Sequence, residues 1–517
     1  MRRTLPALAL LAAACPLGYG TPPLYGCTSD DECVRPLTCR GGLCAGETGG
    51  GLGSSDGGMG DGGTGGSGGQ GGGDGGVVEN PVLDFVAVGT ITAARCVPAT
   101  LTLGGAARAH TVTFSSMPAG VTFWADAACT QALPSLTVQP VMLPVTLYIR
   151  ALTAQGYTVT ATSTTVPVPA TVTVTVLPIV RSGTCTVPGG VGTVQCPITP
   201  QQENLNETFF VYQASGSAMN DYASVATRCT LASASQVVCD RAGTTGEVYV
   251  TWQTAEVPGL DVQRADLTCD GSATRTLTFP RAIDPARSFA TYAVRQTGAY
   301  FSANDAFAAT LFDAGVAFTW ATACDESATL TAQVVQWPGA VVARATLGVD
   351  GGQGSVTSPM LATAQSAFSL ATWSTAASIA DAPCGSTLRV SVPAARTVAF
   401  ARGAASACTG PELPRVAYER VDLGARGRVQ QVTLDMADGV AMASAVIQPV
   451  DPTRTLVLAG GQTGGQGLAM GEGLLETPSA MGDFAATLRL AGNQVIGERK
   501  STRSTSRWSV FVVELSP

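Results

Sequence analysis

Thr171-Val172-Thr173-Val174-Thr175-Val176 puts every valine on one side of an extended chain and every threonine on the other. Successive side chains of a strand point to opposite faces, so this strict alternation marks a half-buried β-strand and not a helix. Tyr157, Val159 and Ala161 repeat the pattern just upstream. Charged residues are only 13% of the 517, glycine reaches 61, and Val, Thr and Ala recur throughout, against roughly 25% charged residues in an ordinary globular chain. The reading is all-β: tandem small antiparallel β-sandwich modules, in a chain long enough for several separate cores.

Around the decisive strand, residues 77–180 hold Cys96 and Cys129, with Phe123-Trp124 just ahead of the second cysteine. One cross-sheet bridge beside aromatic residues resembles an immunoglobulin-like sandwich.

Downstream, three landmarks recur in order, the mark of a degenerate internal repeat. A hydrophobic strand opens at Thr208, Ser288, Ala367 and Thr455; a later strand runs into Arg241, Trp320, Arg402 or Arg499; and a closing strand carries Trp252 to Glu256, Ala332 to Gln336, Tyr418 to Asp422 and Val510 to Glu514. Four modules are expected, at 181–264, 265–345, 346–430 and 431–517. The strand order loosely resembles H-type lectin domains, small six-stranded sandwiches that bind sugars. No sugar-binding residue can be matched, so the resemblance implies the fold alone.

Upstream, Met1-Arg2-Arg3 and the apolar run Leu5 to Ala14 form a signal peptide over 1–14, too short for the roughly 20 residues of a spanning helix. Leu11-Ala12-Ala13-Ala14-Cys15 resembles a bacterial lipobox, with Ala12 where most have Leu. The resemblance implies lipid attachment at Cys15, tethering the protein to an outer membrane or cell surface. The same alanines fit an ordinary cleavage site, with Cys15 merely the first mature residue. Of 15 cysteines, setting Cys15 aside leaves an even number that can all pair, as export favours.

Cys27, Cys33, Cys39 and Cys44 fall within residues 15–45, a span too short for a hydrophobic core, so disulfides must define it. Their spacing, with Asp30-Asp31-Glu32 in the first interval, resembles the Dickkopf N-terminal cysteine-rich motif found near the start of many bacterial surface lipoproteins. That resemblance implies surface display or protein contact. A disordered linker at 46–76 follows, with 18 glycines among the 28 residues of its core, reaching roughly 30 Å as a flexible coil. Further on, Cys185, Cys196, Cys229 and Cys239 supply two bridges to the first repeat. Cys269 with Cys324 and Cys384 with Cys408 supply one each to the second and third.

Little in the chain carries chemistry. His110 is the only histidine and is read as a solvated or edge-strand residue, with no nucleophile elbow to accompany it. Close His or Cys pairs with zinc spacing are absent from the sequence, and three adjacent acids at Asp30 to Glu32 point apart rather than into a calcium site. The repeated Arg241, Arg402 and Arg499 are expected to face the repeated Glu256, Asp422 and Glu514 as ion pairs at the sandwich edge. Trp252, Trp320, Trp337, Trp373 and Trp508 are read first as core and second as ligand anchors.

The net charge of −8 gives no electrostatic footprint for nucleic acid. The expected function is therefore a noncatalytic exported surface lipoprotein for adhesion, matrix or envelope binding, without a cofactor. Its partner would be a surface glycan or protein, and only the lipid would touch a membrane. Two alternatives stand beside it: a carboxylate-dependent polysaccharide hydrolase, and a structural spacer.

Overall fold

The computed structural model describes residues 37–40, 43–46 and most of 81–516, leaving out chiefly 360–366, 377–387, 402–412, 461–471 and 474–484. The signal peptide, Cys15, Cys27, Cys33, the glycine linker, Cys384, Arg402 and Cys408 all lie outside the described residues. The chain divides into Met1–Gly76 and Val77–Pro517. In the first unit, strands Leu37–Arg40 and Leu43–Gly46 pair antiparallel, with Cys39 opposite Cys44.

In the second unit, residues 82–177 form a two-sheet sandwich. One sheet orders its strands Val82–Ala87, Val97–Gly104, Val145–Ala151 and Val121–Trp124. The other runs Thr90–Thr92, Val166–Leu177, Gly156–Ser163, His110–Met117 and Ser135–Val138. Tyr157, Val159, Ala161, Val174 and Val176 all join its core, as the alternation requires. Cys96 and Cys129 are bonded, with Cα atoms 6.0 Å apart. The bridge joins the ends of two strands of one sheet, separated by Val145–Ala151, instead of crossing between sheets. Phe85, Phe114 and Phe123 fill the interior without it. His110 is also placed differently from expectation. It is 2% exposed, in a strand with neighbours on both sides, and its Nδ1 meets Thr165 Oγ1.

The next four sandwiches share one topology: the first, closing and opening strands make an inner sheet, and the second, fifth and fourth make an outer one. In the first of them these are Ile179–Val187, Val248–Glu256 and Thr208–Gly216, then Thr193–Pro197, Gln236–Asp240 and Arg228–Ser233. The inner sheets of the others are Asp261–Thr268, Thr329–Gln336 and Ser288–Arg295; Val341–Val349, Leu413–Asp422 and Ala367–Ser374; and Gly427–Met436, Ser506–Leu515 and Thr455–Ala459. Every expected boundary, at 181, 265, 346 and 431, falls inside the first strand of the sandwich it should precede. Only a few residues separate a closing strand from the next first strand, too short a stretch to show as a break in composition.

The opening and closing strands of the inner sheets do not alternate between buried and exposed residues. All nine residues of Thr208–Gly216 and all eight of Ala367–Ser374 are buried. A sandwich standing alone would bury one face of each sheet, so the second face of these sheets must be covered by something else. It is covered by the other sandwiches. Phe209, Phe289, Phe368 and Leu456, each the second residue of an opening strand, meet in a single core with Ala255, Val335, Val421 and Val513 of the closing strands. Phe289 stands edge-on to both Phe209 and Phe368, at 5.3 and 5.6 Å between ring centres.

The four sandwiches close a ring. Gln333 of the second clamps the opening strand of the first: its Nε2 donates to Phe210 O at 2.8 Å and its Oε1 accepts from Phe210 N at 3.1 Å. Glu419 of the third accepts from Ala290 N of the second at 3.0 Å. Gln253 of the first reaches the fourth, accepting from Val457 N at 2.7 Å and donating to Thr455 O at 3.2 Å. Gln253, Gln333 and Glu419 occupy equivalent places in the ladders, each opposite the fourth residue of its opening strand. Phe511 holds that place in the fourth sandwich, where the seam is bonded instead through Val392 N to Gln431 Oε1 at 2.8 Å.

Candidate functional site

The repeated acids and arginines are the obvious candidates for chemistry, and those among the described residues are engaged in holding turns and loops of their own sandwiches. Glu256 accepts from Asn204 N at 3.1 Å and pairs with Arg181 at 2.9 Å, both side chains nearly fully buried. Glu514 accepts from Asp451 N at 3.1 Å and pairs with Arg428 at 2.7 Å and Arg454 at 2.8 Å. At the same place in the second sandwich, Gln336 accepts from Asp284 N at 2.8 Å. The shared role is to satisfy the N–H at the head of the 3-10 turn before each opening strand. In the third sandwich Asp422 accepts from Gly424 N at 2.8 Å.

The expected pairing of these acids with Arg241 and Arg499 is not formed. Arg241 donates to four or more carbonyls, including Val191 O, Ser224 O, Pro188 O and Gly246 O. Arg499 grips Val440 O and Ala437 O in the same manner. The planar fork of a guanidinium lets one buried side chain pin a whole loop in this way. Trp320, the equivalent residue of the second sandwich, instead joins Phe307 and Phe318 in an aromatic core. All five tryptophans read as core or anchor are at most 4% exposed, as core residues are.

Comparison with known proteins adds nothing to the geometry. No protein family matches the sequence, and no curated protein matches it. Among solved structures, Escherichia coli alpha-2-macroglobulin activated by porcine elastase is 11% identical, covering 84% of this chain with a TM-score of 0.15. The chain spans 50% of that protein, and a likeness of this size carries no argument.

Two features that sequence reasoning missed remain. The first is a cleft of about 210 Å³ where the first sandwich meets the fourth, lined by Ser182, Thr184, Gln253, Pro452, Leu488 and Arg489 among others. Its lining mixes polar Ser182, Thr184 and Gln253 with apolar Trp252, Leu488 and Leu490, and Arg489 is exposed. The second is a polar cluster under the first two sandwiches. Asp305 is 1% exposed, and burial pushes its carboxyl up to about 7. Oδ2 accepts from Ser302 N at 2.7 Å, while Oδ1, Tyr222 Oη and Gln296 Oε1 have no partner among the described residues. No hydrophobic period or motif announces either feature, because each is assembled from segments far apart in the chain.

The cysteines divide into bonded pairs and one apposed pair. Cys185–Cys196 and Cys229–Cys239 are disulfides, and sulfurs of the two bridges lie within 4.8 Å of one another. Bonded sulfur offers no thiolate, so this grouping is not a metal site. Cys269 and Cys324 are buried thiols facing each other, and burial with their mutual hydrogen bond pushes Cys269 up. In protein isolated from an oxidising compartment this pair is expected to close into a disulfide. Alkylation of the denatured, unreduced chain should then leave both residues unlabelled in a peptide map. Labelling of both would withdraw the support this pair lends to export.

Proposed function

We propose that the protein is a noncatalytic, exported surface lipoprotein that binds a partner through its β-sandwich ring, in adhesion, matrix attachment or envelope organisation. The observation that carries the noncatalytic part is the employment of the repeated acids: Glu256 and Glu514 each cap a turn and pair with arginine. Exported location is indicated by the disulfides, and no helix among the described residues is long and apolar enough to cross a membrane. Lipid attachment at Cys15 rests on the lipobox resemblance. Intact mass and protease shaving of whole cells test it: acylated, accessible wild type beside unacylated Cys15→Ser supports the tether, and an unacylated wild type in the medium removes it.

The hydrolase alternative is separated by substitution of the same acids. Gln336 shows that an amide can fill this place, so Glu256→Gln and Glu514→Gln should fold. Each should lower stability by about 1–3 kcal/mol through the lost charge-assisted bonds, with Glu256→Gln the larger because Arg181 is buried beside it, whereas Arg428 and Arg454 are partly exposed to water. Any turnover of polysaccharide that these changes abolish in folded protein would overturn the noncatalytic reading.

A further inference from the structure

We propose that the cleft between the first and fourth sandwiches is a guanidinium site that receives an arginine side chain of a partner polypeptide. The argument comes from the ring's own repetition. In the ladders of the inner sheets, Ser182 opposes Gln253, Arg264 opposes Gln333 and Arg344 opposes Glu419. The three positions are therefore equivalent.

In two seams an arginine fills the position and bonds the preceding sandwich. Arg264 donates through Nε to Gln333 Oε1 at 3.1 Å, through Nη1 to Leu205 O at 3.0 Å, and through Nη2 to Thr208 O. Arg344 donates through Nε to Glu419 Oε1 at 2.7 Å and through its two Nη atoms to Pro285 O and Ser288 O. The acceptor set is the same both times: the cross-strand side chain, the carbonyl of the first residue of the 3-10 turn, and the carbonyl of the first residue of the opening strand.

In the seam that closes the ring the acceptors remain and the arginine does not. Gln253 Oε1, Pro452 O and Thr455 O hold the three places, and the first strand runs beside the Pro452–Arg454 turn as its counterparts do in the other two seams. Ser182 is too short to reach any of them, and the cleft beside it is lined by Gln253 and Pro452 of this set. Gln253 uses one lone pair of its Oε1 on Val457 N and one of its N–H groups on Thr455 O, which leaves each oxygen a second lone pair.

A guanidinium suits three acceptors in a fork better than an ammonium does. Leu488 and Leu490 on the wall would cover the aliphatic stem of an entering arginine. Arg264, held in the equivalent site, is lowered by burial to about 10 and so stays charged at neutral pH. Arg489 is the opposing feature. It is an exposed like charge beside the cleft, largely screened by water and salt.

This deepens the binding role proposed above by naming the chemistry of one site. The test is titration of the full chain with Nα-acetyl-arginine methylamide, followed by NMR or calorimetry, beside free L-arginine and Nα-acetyl-lysine methylamide. Saturable binding of the blocked arginine is expected, weaker by roughly tenfold for the lysine compound. Ser182→Arg, which supplies the missing side chain in cis, should abolish it while raising the melting temperature. Ser182→Gln, a shorter obstruction, should weaken it and serves if the arginine variant does not fold. Arg489→Ala should tighten it by removing the like charge.

No saturation, or binding indifferent to both Ser182 variants, overturns the site. Weakening by Arg489→Ala would mean that the cleft takes an anion. A strong preference for free L-arginine over the blocked compound would replace the partner polypeptide with a small molecule. None of these failures touches the proposed export or the noncatalytic reading, which are judged at Cys15, Glu256 and Glu514.

Discussion

Phe289→Ala is expected to cost about 3–5 kcal/mol, the range for truncating a fully buried phenylalanine, and to weaken all four ring sandwiches together. Phe289 is 0% exposed and packs edge-on against an aromatic ring from each neighbouring sandwich. The cavity it leaves would lie in the shared core, bounded by four separate segments of chain. Inner-sheet strands buried on both faces cannot keep their apolar surface covered once the ring opens, so the sandwiches should unfold as one unit. Denaturant unfolding followed by tryptophan fluorescence checks this, because the buried Trp252, Trp320, Trp373 and Trp508 report on one sandwich each. Coincident transitions, shifted together by Phe289→Ala, are the expected result. Four separated transitions, with only the second displaced, would mean that the sandwiches are independent beads.

Asp305→Asn should stabilise the protein at pH 8 by up to about 4 kcal/mol and flatten its dependence on pH. The folded carboxyl ionises only near 7 against an ordinary 3.8, held up first by burial and then by the charge of Asp325, with the Ser302 N–H and hydroxyl working against the rise. The unfolded chain gives up its proton near 3.8, so from about pH 4 to pH 7 rising pH favours unfolding. The stability tied to the neutral acid is complete below about pH 4 and is lost as pH climbs through 7. Tyr222 and Gln296 are the other polar groups at the cluster, and Tyr222 is itself pushed well up by burial and by Asp305. Asparagine keeps an oxygen for Ser302 N and carries no charge to bury. Parallel stability curves for wild type and Asp305→Asn between pH 4 and pH 7 would sink the claim.

The three acids at issue in this protein were legible to different degrees. Glu256 and Glu514 could be found because they recur at one place in a repeat, and their recurrence pointed to a structural part. The sequence named the wrong partners for them, Arg241 and Arg499 in place of Arg181, Arg428 and Arg454, since landmarks in register along the chain need not face each other across a sheet. Asp305 carried no sequence signal at all. Its environment is made by Tyr222 and Phe301 from different sandwiches, and burial of a lone carboxyl is a property of packing.

By itself the sequence determined the all-β class and the build of small antiparallel modules. Period-two alternation, the β-branched residues and the recurring apolar openings are local properties, and local properties survive in a linear reading. The tertiary structure alone decided that the four repeats close on a shared core and that both faces of Thr208–Gly216 and Ala367–Ser374 are covered. It alone decided that Ser182, unremarkable in its own strand, stands where two other seams hold an arginine. Those facts depend on which segments meet after some eighty residues of intervening chain, and the pairing of distant surfaces is fixed by shape and by hydrogen-bond partners that no single stretch contains.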